Sequence, residues 1–366
     1  MKLLFVNMSA LRFTVATPET EPLGGTESAI CYVSCALSAL GHDVTLIAQL
    51  PEDKPVTVFN IRHEPLQRLL DAAFFTAQDF DAIVICNMPT PALALRAMAP
   101  RAKLIYWAHI LPDQPAMQPL AQVAVRDSFS AVVYVSRWQQ AQIERTFGPI
   151  GNPCVIGNGV APVFENMFDS AAALRQAKQD RAAYTTTPFR GLSILLHAMQ
   201  GLGRQTSLDI FSSMRVYQHA DDKYQDLFDL GRQNPAIVLQ GAVSQKELAD
   251  HLRRAAYLFY PCIYAETFCI TAIEAMAAGL AVVTTDLGAL AEVTEGRARL
   301  MPITTQSGDA LADQFRHLMR DAIDDYNRDP VAWSEARFEA VQAVNRDFRW
   351  HSRAVAWDSF LGHTIA

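Results

Sequence analysis

The chain predicts an α/β protein of two doubly wound, parallel-sheet domains, and three observations predict it. Short apolar runs of strand length recur: Leu3 to Asn7, Val44 to Ala48, Ala82 to Cys86, Leu104 to Trp107, Ala131 to Val135 and Cys154 to Ile156 in the first half. Ala182 to Thr185, Leu208 to Phe211, Ile237 to Gln240, Ala256 to Tyr260 and Ala281 to Thr284 follow in the second. Runs without alternation suit strands buried on both faces, and the helical or loop segments between them make the alternation of a parallel sheet. At 366 residues the chain is long enough for two cores.

Taken in order, Met1 to Asn7 is a first strand rather than a leader, since its apolar stretch is short and no small-residue cleavage site follows. Gly24-Gly25-Thr26-Glu27 precedes a helix with Ile30, Val33, Leu37 and Leu40 on its apolar face and Gly41 at its end. The two glycines let the backbone approach a ligand closely, and Thr26 is placed to cap the helix. His109 follows the strand ending at Trp107, at its carboxyl end. After Phe164 a polar stretch to about Arg181 reads as a linker with a short helix, and Ser244-Gln-Lys-Glu247 as a capping box. Trp350, Ala354, Trp357 and Leu361 lie at helical spacing near the C-terminus. The expected domains are residues 1–162 with 348–366, and 163–347.

Composition narrows the classes. Half the residues are hydrophobic, and a net charge of −7 argues against general nucleic-acid binding. The six cysteines (31, 35, 86, 154, 262, 269) are dispersed without metal-ligand spacing, as expected of a cytoplasmic protein. No Asp-x-Asp motif or histidine cluster suited to holding a metal is found, so no metal is expected. No run approaches the roughly 20 apolar residues that span a bilayer, and no basic amphipathic helix supports membrane contact.

The most informative segment runs from Pro261 to Gly279. Its buried strand, Ala256 to Tyr260, leads into a loop at a carboxyl end, then a helix marked by Phe268, Ala272, Ile273, Met276 and Ala277, then a stop at Gly279. Helix-start amides near Thr267, Phe268 and Cys269 are placed to receive a phosphate. Glu266 and Glu274 flank that start, about two turns apart, so they suit a ligand with two separate diols, such as a nucleotide sugar.

This segment resembles the Glu-x7-Glu motif of the retaining glycosyltransferases of family four, which have the GT-B fold of two facing Rossmann-like domains. The resemblance implies that Glu266 binds hydroxyls of the donor sugar and Glu274 the ribose of its nucleotide. It implies further that Gly24 and Gly25 form the loop facing the donor pyrophosphate, and that His109 contacts the sugar near the reacting carbon. The 1–162 domain would then be the acceptor side and 163–347 the donor-binding domain. In GT-B enzymes the C-terminal helix crosses back to the first domain; packing on its own domain fits the spacing equally well. Val135-Ser136-Arg137-Trp138 and Ile156-Gly-Asn-Gly-Val160 resemble segments near the acceptor cleft and hinge, or are plain cap and turn chemistry.

One departure stands out. The family usually carries an arginine, then five residues later a lysine and a glycine, the cations holding the diphosphate. Here Thr185 stands at the arginine position and Arg190 at the lysine position, before Gly191. Arg215 is a candidate replacement for the missing cation. The expected activity is retaining, metal-independent transfer of a sugar from a nucleotide-diphosphate sugar to a saccharide, lipid-linked or other hydroxyl acceptor, with Glu266, His109 and Arg190 in the catalytic group. No cofactor beyond that co-substrate is expected. Two attack geometries remain open: a double displacement through a carboxylate, or attack from the leaving-group face. A non-catalytic nucleotide-sugar-binding subunit of a glycosylation complex is the alternative. A sugar-nucleotide epimerase is a third reading, and a Rossmann-type oxidoreductase is disfavoured because no clean Gly-x-Gly-x-x-Gly joins a first strand to a helix.

Overall fold

The structure is a computed structural model describing residues 1–203, 205–305 and 307–365, so the last residue of the expected 348–366 segment lies outside it. The chain divides into two compact units. One comprises Met1–Pro18, Leu23–Gly159 and Trp350–Ala366, the other Glu19–Pro22 and Val160–Arg349.

The first unit carries β1 (Lys2–Asn7), β2 (Asp43–Ala48), β3 (Val56–Val58), β4 (Ile61–Pro65), β5 (Ala82–Cys86), β6 (Lys103–Ala108), β7 (Ala131–Tyr134) and β8 (Asn152–Val155). They form one sheet in the order β3-β4-β2-β1-β5-β6-β7-β8, parallel except for the antiparallel β3–β4 pair. The order reverses at β1, so the loops after β1 and β5 flank a topological switch point, where doubly wound sheets bind ligands. Strand β5 is buried along its whole length, as its uninterrupted apolar run requires. The β3–β4 hairpin is absent from the sequence reading. Phe59 and Asn60 make its turn, both with positive φ (49° and 62°), the two-residue geometry that matches strand twist.

The last helix, Trp350–Ile365, belongs to this first unit. It buries Trp350, Ala354, Trp357 and Leu361, the four residues at helical spacing. Trp357 sits edge-on to Trp107, with centroids 5.1 Å apart, and to Phe5 at 6.2 Å. The helix therefore closes the first unit's core.

The second unit carries β9 (Gln179–Tyr184), β10 (Ser207–Ile210), β11 (Ile237–Leu239), β12 (Ala255–Tyr260), β13 (Ala281–Thr285) and β14 (Ala298–Met301). Its sheet is ordered β11-β10-β9-β12-β13-β14 and parallel throughout. Here the switch point lies between β9 and β12. Strand β14, not foreseen from the sequence, extends the sheet. Two long helices, Gly308–Arg328 and Pro330–Asp347, follow it. The Ser244–Glu247 capping box is formed, each side chain meeting the other residue's backbone N–H.

Beneath β9, the buried Lys178 ties this unit together. Its Nζ donates to the carbonyls of Leu252 (3.1 Å), Ala255 (2.7 Å) and Ala278 (2.5 Å), and lies 5.4 Å from the Phe168 ring. Lys178→Met would leave three buried carbonyls without that donor, so it is expected to cost about 2–3 kcal/mol. A urea melt measures this, and an unchanged midpoint would show that the carbonyls find other donors.

Candidate active site

The second unit's switch point gathers most of the expected residues. The loop after β9 contains Arg190 in the turn Pro188–Arg190, and the loop after β12 contains Glu266. The two are 76 residues apart in sequence, and the Arg190 Nη1 forms an ion pair with Glu266 Oε1. Tyr260, the last residue of β12, donates its hydroxyl to the same oxygen at 2.5 Å. Tyr264 lies under the guanidinium, 4.4 Å from ring centroid to Cζ. Burial is the largest influence on Arg190 and opposes its charge, but Glu266, Tyr260 and Tyr217 together outweigh it and hold the guanidinium charged.

The backbone holds this pair as tightly as the side chains do. At Gly191, φ is +123° and a Cβ would lie 2.0 Å from the Pro261 carbonyl oxygen, so only glycine lets the two loops approach. Gly288, after β13, is equally crowded: a Cβ there would lie 2.5 Å from the Glu266 nitrogen. The neighbouring Ala289 N–H donates to the Glu266 carbonyl at 2.7 Å. The Glu266 carboxylate is thus positioned by three separate loops.

The motif helix starts later than the sequence suggested. It runs Ile270–Ala277, with Cys269 at the N-cap in a left-handed conformation (φ 77°, ψ 79°). Thr267, Phe268 and Cys269 therefore precede the helix, and its first N–H groups belong to Ile270 and Thr271. Phe268 is a packing residue, its ring 6.2 Å from Phe348. The Cys269 thiol is pushed up by burial and by the Glu266 charge, and burial with Glu266 pushes Cys262 up to about 12. Neither sulfur is a thiolate nucleophile at neutral pH.

Glu274 lies inside that helix, only 5% exposed, and no hydrogen bond or ion pair engages its carboxylate among the described residues. Burial pushes its pKa up to about 8. At neutral pH a buried carboxyl in this state is mostly protonated, and its polar atoms are left for a ligand to engage.

Thr185 supplies no charge at the carboxyl end of β9. Its carbonyl accepts from the Thr271 hydroxyl at 3.3 Å, and its own hydroxyl is buried without a partner. Arg215 stands on the Met214–Tyr217 turn after β10, exposed and without an ion pair among the described residues. Arg215, Arg190 and Glu266 therefore follow three neighbouring strands, β10, β9 and β12.

In the first unit, Gly24 is the N-cap of the helix Gly25–Ala39 and no side chain caps it, which corrects the role expected of Thr26. Glu27 in its first turn is buried and accepts from Asn7 Nδ2 at 3.4 Å. His109 follows β6, its N–H donating to Asn87 Oδ1 at 2.7 Å and its ring 4.3 Å from Trp107. Burial alone pulls its pKa down to about 3, so the imidazole is neutral. A pH–rate profile is accordingly expected to show no His109 inflection between about pH 5 and about pH 8. An inflection there that His109→Asn abolished would contradict this assignment.

Ser136 caps the helix Arg137–Phe147 through its hydroxyl, so Val135–Trp138 shows ordinary cap chemistry. One Asp-x-Asp string does occur, Asp79-Phe80-Asp81, but Asp79 pairs with Arg101 (2.6 Å) and Asp81 accepts the Lys2 N–H (2.7 Å). Both carboxylates are thus engaged within the first unit. Sequence reasoning missed Tyr260, Tyr264 and Glu27. Of these Tyr260 was accessible, since it is a polar group ending the apolar strand that leads into the motif loop.

Both halves of the chain match family models. Residues 23–163 match that of Glycosyltransferase Family 4, and residues 182–321 that of Glycosyl transferases group 1, so the two matches together span most of the chain. The chain belongs to the group 1, family 4 glycosyltransferases. Solved structures of similar fold include a glycosyltransferase from Rickettsia africae, at 16% identity and a TM-score of 0.75, covering 100% of this chain and 98% of that one. Anabaena HepE in complex with UDP and glucose is 16% identical with a TM-score of 0.72, covering 99% and 100%. Sucrose-phosphate synthase from Thermosynechococcus elongatus is 17% identical with a TM-score of 0.70, covering 99% of each. These likenesses establish the GT-B fold for this glycosyltransferase. No curated protein matches it.

Proposed function

We propose that this glycosyltransferase moves a sugar from a nucleotide-diphosphate sugar to a hydroxyl acceptor, with retention of anomeric configuration and without a metal ion. The observation that carries the reading is the Arg190–Glu266–Tyr260 cluster at the β9/β12 switch point, with the buried carboxyl of Glu274 on the adjoining helix. Known structures of this fold hold UDP and glucose, which supports a nucleotide-sugar donor.

In this reading the bond from the anomeric carbon to the diphosphate oxygen breaks, and its electron pair leaves with the diphosphate. The acceptor oxygen bonds to the anomeric carbon, and its proton passes to the departing phosphate. Glu266 accepts sugar hydroxyls. Arg190 presents one nitrogen to Glu266 and has further N–H donors for the growing anion. Glu274 takes the ribose diol, with Arg215 and the amides of Ile270 and Thr271 as further diphosphate donors. For the first unit the proposal keeps the resemblance's roles, Gly24 and Gly25 at the diphosphate and His109, neutral, at the sugar. The engagement of Glu266 by both Arg190 and Tyr260 weakens it as a nucleophile, which supports attack from the leaving-group face over a double displacement.

Glu266→Ala removes a charged hydrogen-bond acceptor worth about 1.5–3 kcal/mol, so kcat/KM for transfer should fall about tenfold to a hundredfold. The assay is product formation from a panel of UDP-, GDP- and ADP-sugars with mono- and disaccharide acceptors. Retention is read from the anomeric proton of the product by NMR, and metal independence from turnover in excess chelator. Folded wild type that binds a donor but never transfers it would favour the non-catalytic subunit.

A further inference from the structure

A second cleft lies in the Val160–Arg349 unit, at the other edge of its sheet. Its volume is about 480 Å³, within the range of small-molecule sites. Its walls are the opening residues of β13 and β14 and the two long helices that follow them. Because the sheet is parallel, these opening residues lie at its amino ends, whereas Arg190 and Glu266 lie at the carboxyl ends.

The cleft is lined by four arginines, Arg297, Arg299, Arg328 and Arg337, and by two carboxylates, both already engaged. Asp325 pairs with Arg299 (2.5 Å) and Arg328 (3.2 Å), while Asp329 caps the helix Pro330–Asp347 by accepting from Val331 and Ala332. Arg299 also meets Asp321 (3.4 Å), and Arg297 meets Glu295 (2.6 Å). Arg337 is the cation left over. It has no ion pair or hydrogen bond among the described residues, and its buried Nε has no acceptor. Trp333, 8% exposed, lines the same cleft, and its indole Nε1 is also buried without an acceptor. Burial and then the Arg299 charge pull the Arg337 pKa down, against partial support from Asp325 and Glu339.

Two orphaned donors four residues apart on one helix lack the same thing, an acceptor, and leaving them unmade is costly. A nearby cation makes that acceptor an anion. We propose that this cleft binds the phosphate group of a small phosphorylated molecule, with Arg337 as its anchoring cation and Trp333 donating from the indole. Phosphate oxygens suit a planar guanidinium, and the volume exceeds what a phosphate alone fills, leaving room for the esterified group.

Calorimetry with glycerol 3-phosphate, inorganic phosphate and glycerol tests this on the full chain. The ester is expected to bind and glycerol not to bind; inorganic phosphate binding as well would make the free ion a ligand too. Arg337→Gln should weaken ester binding about tenfold or more, and Trp333→Phe, which removes only the N–H from an aromatic side chain, about threefold to tenfold. If Arg337→Gln fails to fold, Arg337→Lys serves instead and should also weaken binding, because a point charge replaces the fork. Glu266→Gln should leave it unchanged. No heat at millimolar ester would overturn the proposal. So would binding that survives the Arg337 change but is lost with Glu266→Gln, since the ester would then sit at the switch-point loops.

Discussion

Arg190→Ala is expected to lower kcat/KM for sugar transfer about a hundredfold to a thousandfold, the loss typical of removing one donor to a developing oxyanion. It should also destabilise the protein. Glu266, whose side chain is 11% exposed, would keep its charge and lose its counter-ion, and breaking a buried pair from one side costs about 3–5 kcal/mol. The two losses separate in the double variant. Arg190→Ala with Glu266→Gln should recover much of the thermal midpoint, since no charge is then left unpaired, yet recover no activity. Steady-state kinetics alongside melting curves measure both. An Arg190→Ala enzyme that transfers at the wild-type rate would remove the arginine from the mechanism and leave it as a strut for Glu266.

Glu274→Gln is expected to change how stability follows pH. In the folded protein the Glu274 pKa stands at about 8, against an ordinary value of 4.5. Below 4.5 both folded and unfolded chains hold the proton, and the group costs nothing. As pH rises through that interval, the unfolded chain releases the proton while the folded chain keeps it, so stability is lost progressively and the loss levels off near pH 8. At about 1.4 kcal/mol per unit this amounts to roughly 4–5 kcal/mol at most. The glutamine variant should lack this decline and melt higher than wild type at pH 8. Parallel curves for the two proteins would show that Glu274 is solvated or paired in solution. If a ribose diol donates to this carboxylate, nucleotide binding should release a proton near pH 7, which calorimetry in buffers of different ionisation enthalpy would detect.

The strands that carry the active site were legible because burial on both faces leaves a physical signature, an unbroken apolar run such as Ala255–Tyr260. The β3–β4 hairpin left none. Its turn is Phe59-Asn60 rather than a glycine pair, and its strand β4 buries His63 and Glu64, satisfied by Val15 and by Arg62 and Arg68. The helix start was misplaced because nothing in a cysteine announces a left-handed residue, and Cys269 adopts one. Spacing located Glu266 and Glu274 but was blind to what they touch. The Arg190 contact depends on Gly191 and Pro261 meeting through close backbone approach, a three-dimensional fact with no local pattern. Burial of Glu274 follows from its place in a short helix buried from Ala272 to Ala277, which the apolar residues around it did foreshadow.

The placement of the last helix orders events during synthesis. A ribosome emits the strands of the first unit early, but Trp357, which packs on both Phe5 and Trp107, emerges only after the whole second unit has been translated. Until then the nascent first unit carries an uncovered aromatic face. At about 5–20 residues per second, the interval spent making 190 residues, Val160 to Arg349, lasts roughly ten to forty seconds. During that window the half-finished protein is a natural client for a chaperone that shields apolar surface. A message truncated after the second unit would leave that client permanently unfinished.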